Sequence, residues 1–201
     1  MKPAPKVADL GRIKGFAFSE FLNWYESKYG REKVSGAVAA ADVRHGVEFD
    51  QRRPSFGILA SDWYDAAIVH TVLDELTRGH SPAELDAMAV EAAAVIMGRT
   101  LRGIYRAVFS LAVTPARYAQ HVDKAWRLHY DSGYPLISAP NPKEHRVTYR
   151  DWRSHHPMIC RLNMGAAGPI YGAMGCKNLR FRRLSCISDG GEQCASVIQW
   201  E

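Results

Sequence analysis

The chain has 201 residues, 47% hydrophobic and 23% charged, which is the composition of a folded globular protein and excludes a disordered or fibrous one. No apolar run reaches the 18 residues of a membrane-spanning helix, so we expect no membrane association. The first 15 residues also lack the apolar core of a secretory signal. These features predict a cytoplasmic protein, in which the four cysteines would stay reduced.

In chain order, residues 1–12 read as a short tail and helices come next. Apolar side chains recur at helical spacing from Phe18 until Gly30, and a second helix is expected over 32–41. Residues 42–60 resemble a loop because they contain two glycines and a proline. Ser61 or Asp62 is then expected to begin a helix that runs to Thr77.

The strongest helix start is Ser81-Pro82-Ala83-Glu84, where a capping serine precedes proline and a glutamate follows three residues later. A long helical stretch follows. Thr114-Pro115 gives the same signal and predicts a helix to about Asp131, which Gly133 and Pro135 would stop.

The apolar period then changes from 3.6 towards 2. This change predicts a strand at 145–149, a helix from Pro157 to about Tyr171, and a hairpin over 179–200. In the first hairpin strand the apolar side chains change parity, so either a bulge lies near Arg182-Arg183 or both faces are covered. The predicted class is α+β: an N-terminal helical bundle followed by a small C-terminal antiparallel sheet with a crossing helix. We expect one domain over 13–201, mainly helical over 13–135 and sheet-containing over 145–201.

The hairpin turn pairs two thiols. If the turn centres on Gly190, Cys186 lies opposite Cys194 with Cβ atoms about 4.5–5.5 Å apart. This placement suits a metal site, a disulfide or a small apolar pair in a core.

Four segments together resemble a known family: IKGFAFSEFLNWYESKYG, SDWYDAAIVHTVL, AWRLHYDSG and GCKNLRFRRLSCISDGGEQCASVIQWE. They are similar to a family of unknown function restricted to Myxococcales, which is related to heme nitric-oxide-binding domains and to the vinyl-4-reductase domains of phenol- and xylene-sensing regulators. The resemblance spans most of the chain from Ile13 to Trp200. It implies the fold of a regulatory sensor domain.

The resemblance also implies a zinc site. In the aromatic-sensing relatives, cysteines and an acidic residue hold a structural zinc ion, and two of the cysteines are separated by seven residues. Cys186 and Cys194 match this spacing, and Cys160 lies near the third position. Arg183 stands where the acidic ligand is expected, so zinc would need a fourth ligand. His155, His156 and Cys176 are the candidates, and reduced cysteines packed in a core are the alternative.

Heme receives less support from the sequence. A heme sensor needs an axial ligand, usually a histidine, on a helix that faces an apolar cavity. His70, His121 and His129 lie on predicted helices, but no surrounding pattern distinguishes any of them. We therefore assign no heme.

The favoured function is a non-catalytic sensor that binds a small, largely apolar ligand between the helices and the sheet. Candidate lining residues are Met97, Tyr105, Phe109, Trp126 and Tyr130, although an aromatic stripe is also typical of a plain core. The N-terminal helices would allow homodimerisation.

The alternative is an adaptor that docks an acidic protein partner. The stretch from Arg146 to Arg183 contains eight basic residues and one acidic residue, and its strand holds Arg180, Arg182 and Arg183. The same charge is compatible with a solvated strand face. Nucleic-acid binding lacks the expected basic and aromatic motif.

An enzyme, such as a reductase of a tetrapyrrole vinyl group, lacks support. Gly165-Ala166-Ala167-Gly168 does not have the spacing of a dinucleotide-binding loop, and no acid–base group stands out. We therefore predict no catalytic residues.

Overall fold

A computed structural model describes residues 9–101 and 113–201. The helices in these ranges are α1 (Gly15–Tyr29), α2 (Arg31–His45), α3 (Ala66–Thr77), α4 (Pro82–Thr100), α5 (Pro115–Trp126), α6 (Pro157–Gly165) and α7 (Ala167–Ala173). The strands are β1 (Arg12–Lys14), β2 (Trp63–Asp65), β3 (Tyr134–Asn141), β4 (Glu144–Arg150), β5 (Arg180–Ser185) and β6 (Ala195–Gln199). The predicted α+β class is confirmed. No helix in the described ranges is long and apolar enough to cross a membrane.

The two capping signals are confirmed. The Ser81 hydroxyl accepts from the Glu84 backbone N–H, and the Glu84 carboxylate accepts from the Ser81 N–H, which completes the capping box of α4. The Thr114 hydroxyl accepts from the Arg117 N–H at the start of α5. Helix α5 ends at Trp126, five residues earlier than predicted, and residues 127–129 form a turn.

The helix expected from Ser61 starts later. Residues Trp63–Asp65 form β2, which pairs antiparallel with β1 through Ile13 and Tyr64. The helix begins only at Ala66, because the backbone before it is used in this pairing. Gly15 follows β1 where a Cβ atom would lie 2.1 Å from the Leu59 carbonyl oxygen. Only glycine fits there.

Four strands form the main sheet in the order β3-β4-β6-β5, and every neighbouring pair is antiparallel. The register shifts between Arg183 and Ser185, which confirms a bulge in this part of the first hairpin strand. Strand β3 is absent from the predicted elements, because Gly133 and Pro135 indicate only the end of the preceding helix. Pro135 is accommodated because β3 is an edge strand, where a missing N–H need not break the sheet.

The crossing element consists of two helices where one was predicted. Helix α6 ends at Gly165 and α7 starts at Ala167. Helix α6 packs on α4 so closely that a Cβ at Gly165 would lie 3.1 Å from the Ala89 carbonyl oxygen. The His156 side chain caps the N-terminus of α6, because its Nδ1 accepts from the Met158 backbone N–H at 3.1 Å.

Candidate functional site

A largely apolar cavity of about 490 Å³ lies between the helices and the main sheet. Helices α1, α3, α4, α5, α6 and α7 and all four strands of that sheet contribute side chains to its wall. Met97, Trp126 and Tyr130, three of the candidate lining residues, are part of the wall. The other two, Tyr105 and Phe109, lie outside the described residues.

Trp126 is at the centre of an aromatic group in this wall. Its ring centroid lies 4.3 Å from that of Tyr130 and 5.1 Å from those of Tyr149 and Trp152. The indole N–H donates to the Ser132 carbonyl oxygen at 3.0 Å. Because its only donor is already paired, Trp126 gives the cavity an apolar surface.

The wall also includes a few polar side chains. The Tyr130 hydroxyl donates to Asn163 Oδ1 at 3.0 Å. Burial raises the pKa of Tyr130 and raises that of Tyr118 to about 12, so both phenols are neutral at physiological pH. Burial lowers the pKa of His129, which is therefore a neutral imidazole.

The described wall does not fit a heme. His129 is the one histidine among its described residues, and the sequence of 102–112 contains no other. A ligating histidine normally donates its second ring N–H to a partner. Among the described residues, the buried Nδ1 of His129 has no such partner. The described wall also contains no lysine or arginine to neutralise two propionates.

The second site is a thiol cluster formed by Cys160, Cys186, Cys194 and His155. The Cys194 sulfur lies 3.2 Å from that of Cys186, 3.8 Å from that of Cys160 and 3.4 Å from His155 Nδ1. His155 Nδ1 is also 3.8 Å from the Cys160 sulfur. All three cysteines are buried and reduced. Cys186 and Cys194 lie in contact at the turn end of the hairpin, which confirms that the two thiols lie opposite each other.

The electrostatics of this cluster favour one thiolate. The pKa of Cys186 is lowered because the Cys160 and Cys194 thiols can donate hydrogen bonds to its sulfur, and Ser188 adds a further contact at 2.9 Å. Contacts with Cys186 and Cys194, together with burial, raise the pKa of Cys160. A thiolate next to two thiols and an imidazole is a set of soft donors suited to zinc.

The three candidates for a fourth ligand have different surroundings. His155 is in contact with two of the sulfurs. Both ring nitrogens of His156 already have partners. Its Nε2 donates to Asp74 Oδ1 at 3.1 Å, and its Nδ1 caps the start of α6 by accepting from the Met158 N–H. Cys176 packs in a separate apolar group with Tyr171 and Trp200.

Ion pairs hold the loop between Cys186 and Cys194 against the helices. Asp189 in this loop pairs with Arg183 at 2.5 Å and with Arg161 at 3.4 Å. Arg161 is buried on α6 and also pairs with Asp86 of α4 at 2.8 Å. Arg183, where the zinc-binding relatives were expected to have an acidic ligand, is thus used to anchor the loop.

The three arginines of the predicted basic strand differ in exposure because of these ion pairs. Arg180 and Arg182 are exposed on the edge strand β5, whereas Arg183 is half-buried in its ion pairs. Phe181 and Leu184 on the same strand are exposed at 40% and 45%.

Sequence reasoning missed Asn163 and the Arg161–Asp189 pair. A single asparagine inside a helix gives no periodic signal, and ion pairs between residues 28 positions apart depend on the tertiary fold. His155 could be named only as one of three candidates, because the sequence does not show which way each ring points.

Comparisons with known proteins support the fold. No protein-family model matches the sequence, and no curated protein matches it. Several solved structures of H-NOX proteins are similar to this chain. A Cs H-NOX mutant with 4-cyano-L-phenylalanine has a TM-score of 0.65 at 9% identity, covering 94% of this chain and 96% of that one. The Fe(II) unliganded H-NOX protein from K. algicida has a TM-score of 0.63 at 15% identity with the same coverage. The chain therefore has the fold of H-NOX domains.

Proposed function

We propose that this protein is a non-catalytic sensor module that binds a small, largely apolar ligand in the cavity between helices and sheet. The observation that supports this proposal is the cavity of about 490 Å³, whose described wall contains no charged side chain. Its size falls in the range of small-molecule sites, and concave pockets with mainly apolar walls favour apolar ligands. The fold also supports a sensor, because H-NOX proteins are heme nitric-oxide-binding domains.

A cavity-filling substitution tests this proposal. Val122 lies on α5 in the wall and is 9% exposed. Val122→Trp should fill part of the cavity and weaken binding of naphthalene and biphenyl at least tenfold, as measured by calorimetry. Val43→Trp makes the same change at a site that is 89% exposed and should leave binding intact. Failure of the unmodified protein to bind any compound in a panel of apolar probes would contradict the proposal.

We also propose that the thiol cluster holds a structural zinc ion through Cys160, Cys186, Cys194 and His155. A tetrahedral zinc centre with Zn–S bonds of about 2.3 Å places two sulfurs about 3.8 Å apart. The observed separations of 3.2 and 3.8 Å approach this value. When bound, zinc would link the hairpin turn to α6 and stabilise the fold.

Metal analysis with matched serine variants tests the zinc proposal. The purified protein should contain about one zinc per chain by mass spectrometry, and a chelator should lower its melting temperature. Cys194→Ser should lose the zinc and the response to the chelator. Cys176→Ser, outside the cluster, should keep both. A protein that contains no zinc after expression with added zinc would contradict the proposal.

The adaptor function is a second candidate, favoured by the exposure of Arg180 and Arg182 on an edge strand. The double variant Arg180→Glu/Arg182→Glu should abolish binding of a deca-glutamate peptide without changing thermal stability. The charge-matched variant Arg44→Glu/Arg52→Glu, on exposed positions remote from β5 in the sequence, is the control. Equal peptide binding by both variants would show that the strand is only solvated surface.

A further inference from the structure

Asn163 and Tyr130 form a hydrogen-bonded polar pair in the largely apolar wall of the cavity. Asn163 lies on α6, and Tyr130 lies in the segment between α5 and β3. The Tyr130 hydroxyl donates to Asn163 Oδ1 at 3.0 Å. The Asn163 Nδ2 group is buried and has no hydrogen-bond partner in the part of the chain that the structure describes. Buried amide groups are nearly always paired, so an unpaired one in a cavity wall indicates a missing partner.

The unpaired donor does not depend on how the amide is turned. With Oδ1 towards Tyr130, the amide N–H groups remain without an acceptor. With Nδ2 towards Tyr130, the amide donates to the phenol oxygen and the hydroxyl proton is left free. In both arrangements the pair has at least one hydrogen-bond donor to offer.

The remainder of the wall restricts what this donor can meet. The described lining residues include no lysine, arginine, aspartate or glutamate. A carboxylate or phosphate in the cavity would therefore meet no opposite charge among the described residues, which is strongly unfavourable. His129, the one described histidine in the wall, is kept neutral by burial and does not supply that charge.

We propose that the ligand is an uncharged, largely apolar molecule with one hydrogen-bond acceptor, such as a ketone or ester carbonyl, which the Asn163–Tyr130 pair binds. This inference rests on the proposed apolar-ligand function and narrows the class of ligand. The hydrocarbon part contacts the aromatic and aliphatic wall, and the carbonyl oxygen satisfies the unpaired donor.

Three probes of nearly equal shape test the ligand class by calorimetry: 2-acetylnaphthalene, 2-ethylnaphthalene and 2-naphthoate. The ketone should bind about tenfold more tightly than the hydrocarbon, as expected for one net hydrogen bond. The anion should bind most weakly. Equal binding of ketone and hydrocarbon, or tightest binding of the anion, would overturn this inference and leave the apolar-ligand function standing. Absence of binding by all three, together with a negative hydrocarbon panel, would overturn the apolar-ligand function itself.

Substitutions of Asn163 test whether the Asn163–Tyr130 pair causes the tighter binding of the ketone. Asn163→Leu should reduce the preference for the ketone to less than twofold while binding of 2-ethylnaphthalene persists. Asn141→Leu makes the same change at an exposed position outside the wall and should retain the full preference. Asn163→Met provides a second apolar replacement if the leucine variant does not fold. A ketone preference that survives the removal of Asn163 would contradict the assignment.

Discussion

His70, on α3, is the residue whose ionisation most clearly opposes folding. Its Nε2 atom is buried and has no partner in the described part of the chain, and its ring lies 5.0 Å from that of His156. Burial, and then the nearby His156, lower its pKa from 6.5 to about 4, although Ser154 and Asp74 act in the opposite direction. The native protein therefore holds His70 in its neutral form.

We predict that acid destabilises the protein partly through His70. Between pH 6.5 and about 4 the unfolded chain binds a proton at this position that the native state does not. The stability present above pH 6.5 is then lost as the pH falls, by an amount of up to about 3 kcal/mol. His70→Gln should reduce the loss of unfolding free energy measured by urea denaturation between pH 7 and pH 4.5.

His121→Gln, on an exposed position of α5, should leave the acid dependence of the unmodified protein unchanged. Some dependence will remain in His70→Gln, because burial also lowers the pKa values of His129 and His145. An identical pH dependence in His70→Gln and the unmodified protein would exclude His70 as a source of acid lability.

At the residue scale, the sequence predicted what depends on local register and missed what depends on the tertiary fold. The contact between Cys186 and Cys194 follows from the hairpin turn, so counting residues was sufficient. The third thiol and His155 come from the start of α6, and only the packing of that helix on the hairpin brings them close. The pairing of Asn163 with Tyr130 has the same origin.

At the scale of elements, the segment before β3 depends on Gly133. This residue has a φ of +66°, and a Cβ atom there would lie 2.5 Å from the Arg150 carbonyl oxygen and from the backbone of Trp152. Gly46 has a similar φ of +63°, but nothing lies within 4 Å of its Cβ position. A side chain at Gly46 would therefore cause backbone strain alone, whereas a side chain at Gly133 would cause backbone strain and a steric clash.

We predict that Gly46→Ala lowers the free energy of unfolding by about 1–2 kcal/mol, the cost of a left-handed alanine. Gly133→Ala should lower it by about 3 kcal/mol or more, because the backbone contact of β3 and the residues after β4 must also shift. Urea denaturation of both variants measures the difference. Equal losses would mean that the segment around Gly133 adjusts freely.

The elements themselves were predicted best where they have their own end signals. Ser81 and Thr114 begin helices as expected, because a side-chain cap is a local property. Strand β3 was missed although it pairs with the adjacent β4, because Gly133 and Pro135 indicate only the end of a helix. The β1–β2 pair was missed because its short strands are defined by partners distant in sequence. Arg12 and Asp65, for example, pair across 53 positions.

At the scale of the whole molecule, two apolar clusters share one aromatic residue. The larger cluster includes Trp24 and Phe21, and the smaller one includes Tyr171 and Trp200. Tyr149 is packed against both. The helical part and the sheet are therefore expected to unfold together.

We predict one cooperative unfolding transition. Trp200→Phe removes the tryptophan of the smaller cluster, and Trp24→Phe removes one of the three tryptophans of the larger cluster, so the two variants weight the fluorescence of the two clusters differently. The midpoints measured by fluorescence and by far-ultraviolet circular dichroism should coincide within each variant. Separate midpoints would show that the helical part and the sheet are independent units.

The sequence was sufficient to predict the mixture of helices and sheet but not the cavity. A cavity is the space left when α1, α4, α5 and α6 close over the sheet, and apolar side chains around it look the same in a sequence as those of a filled core. Trp126 illustrates this point, because its helical spacing fits both arrangements.

Helix α6 joins the thiol cluster and the cavity within a single turn. Cys160 lies in the cluster, Arg161 holds the hairpin loop through Asp189, and Asn163 lies in the cavity wall. Any event that rotates or tightens this turn at one end displaces side chains at the other. Occupancy of the two sites would then be thermodynamically linked, each changing the affinity of the other by the same factor.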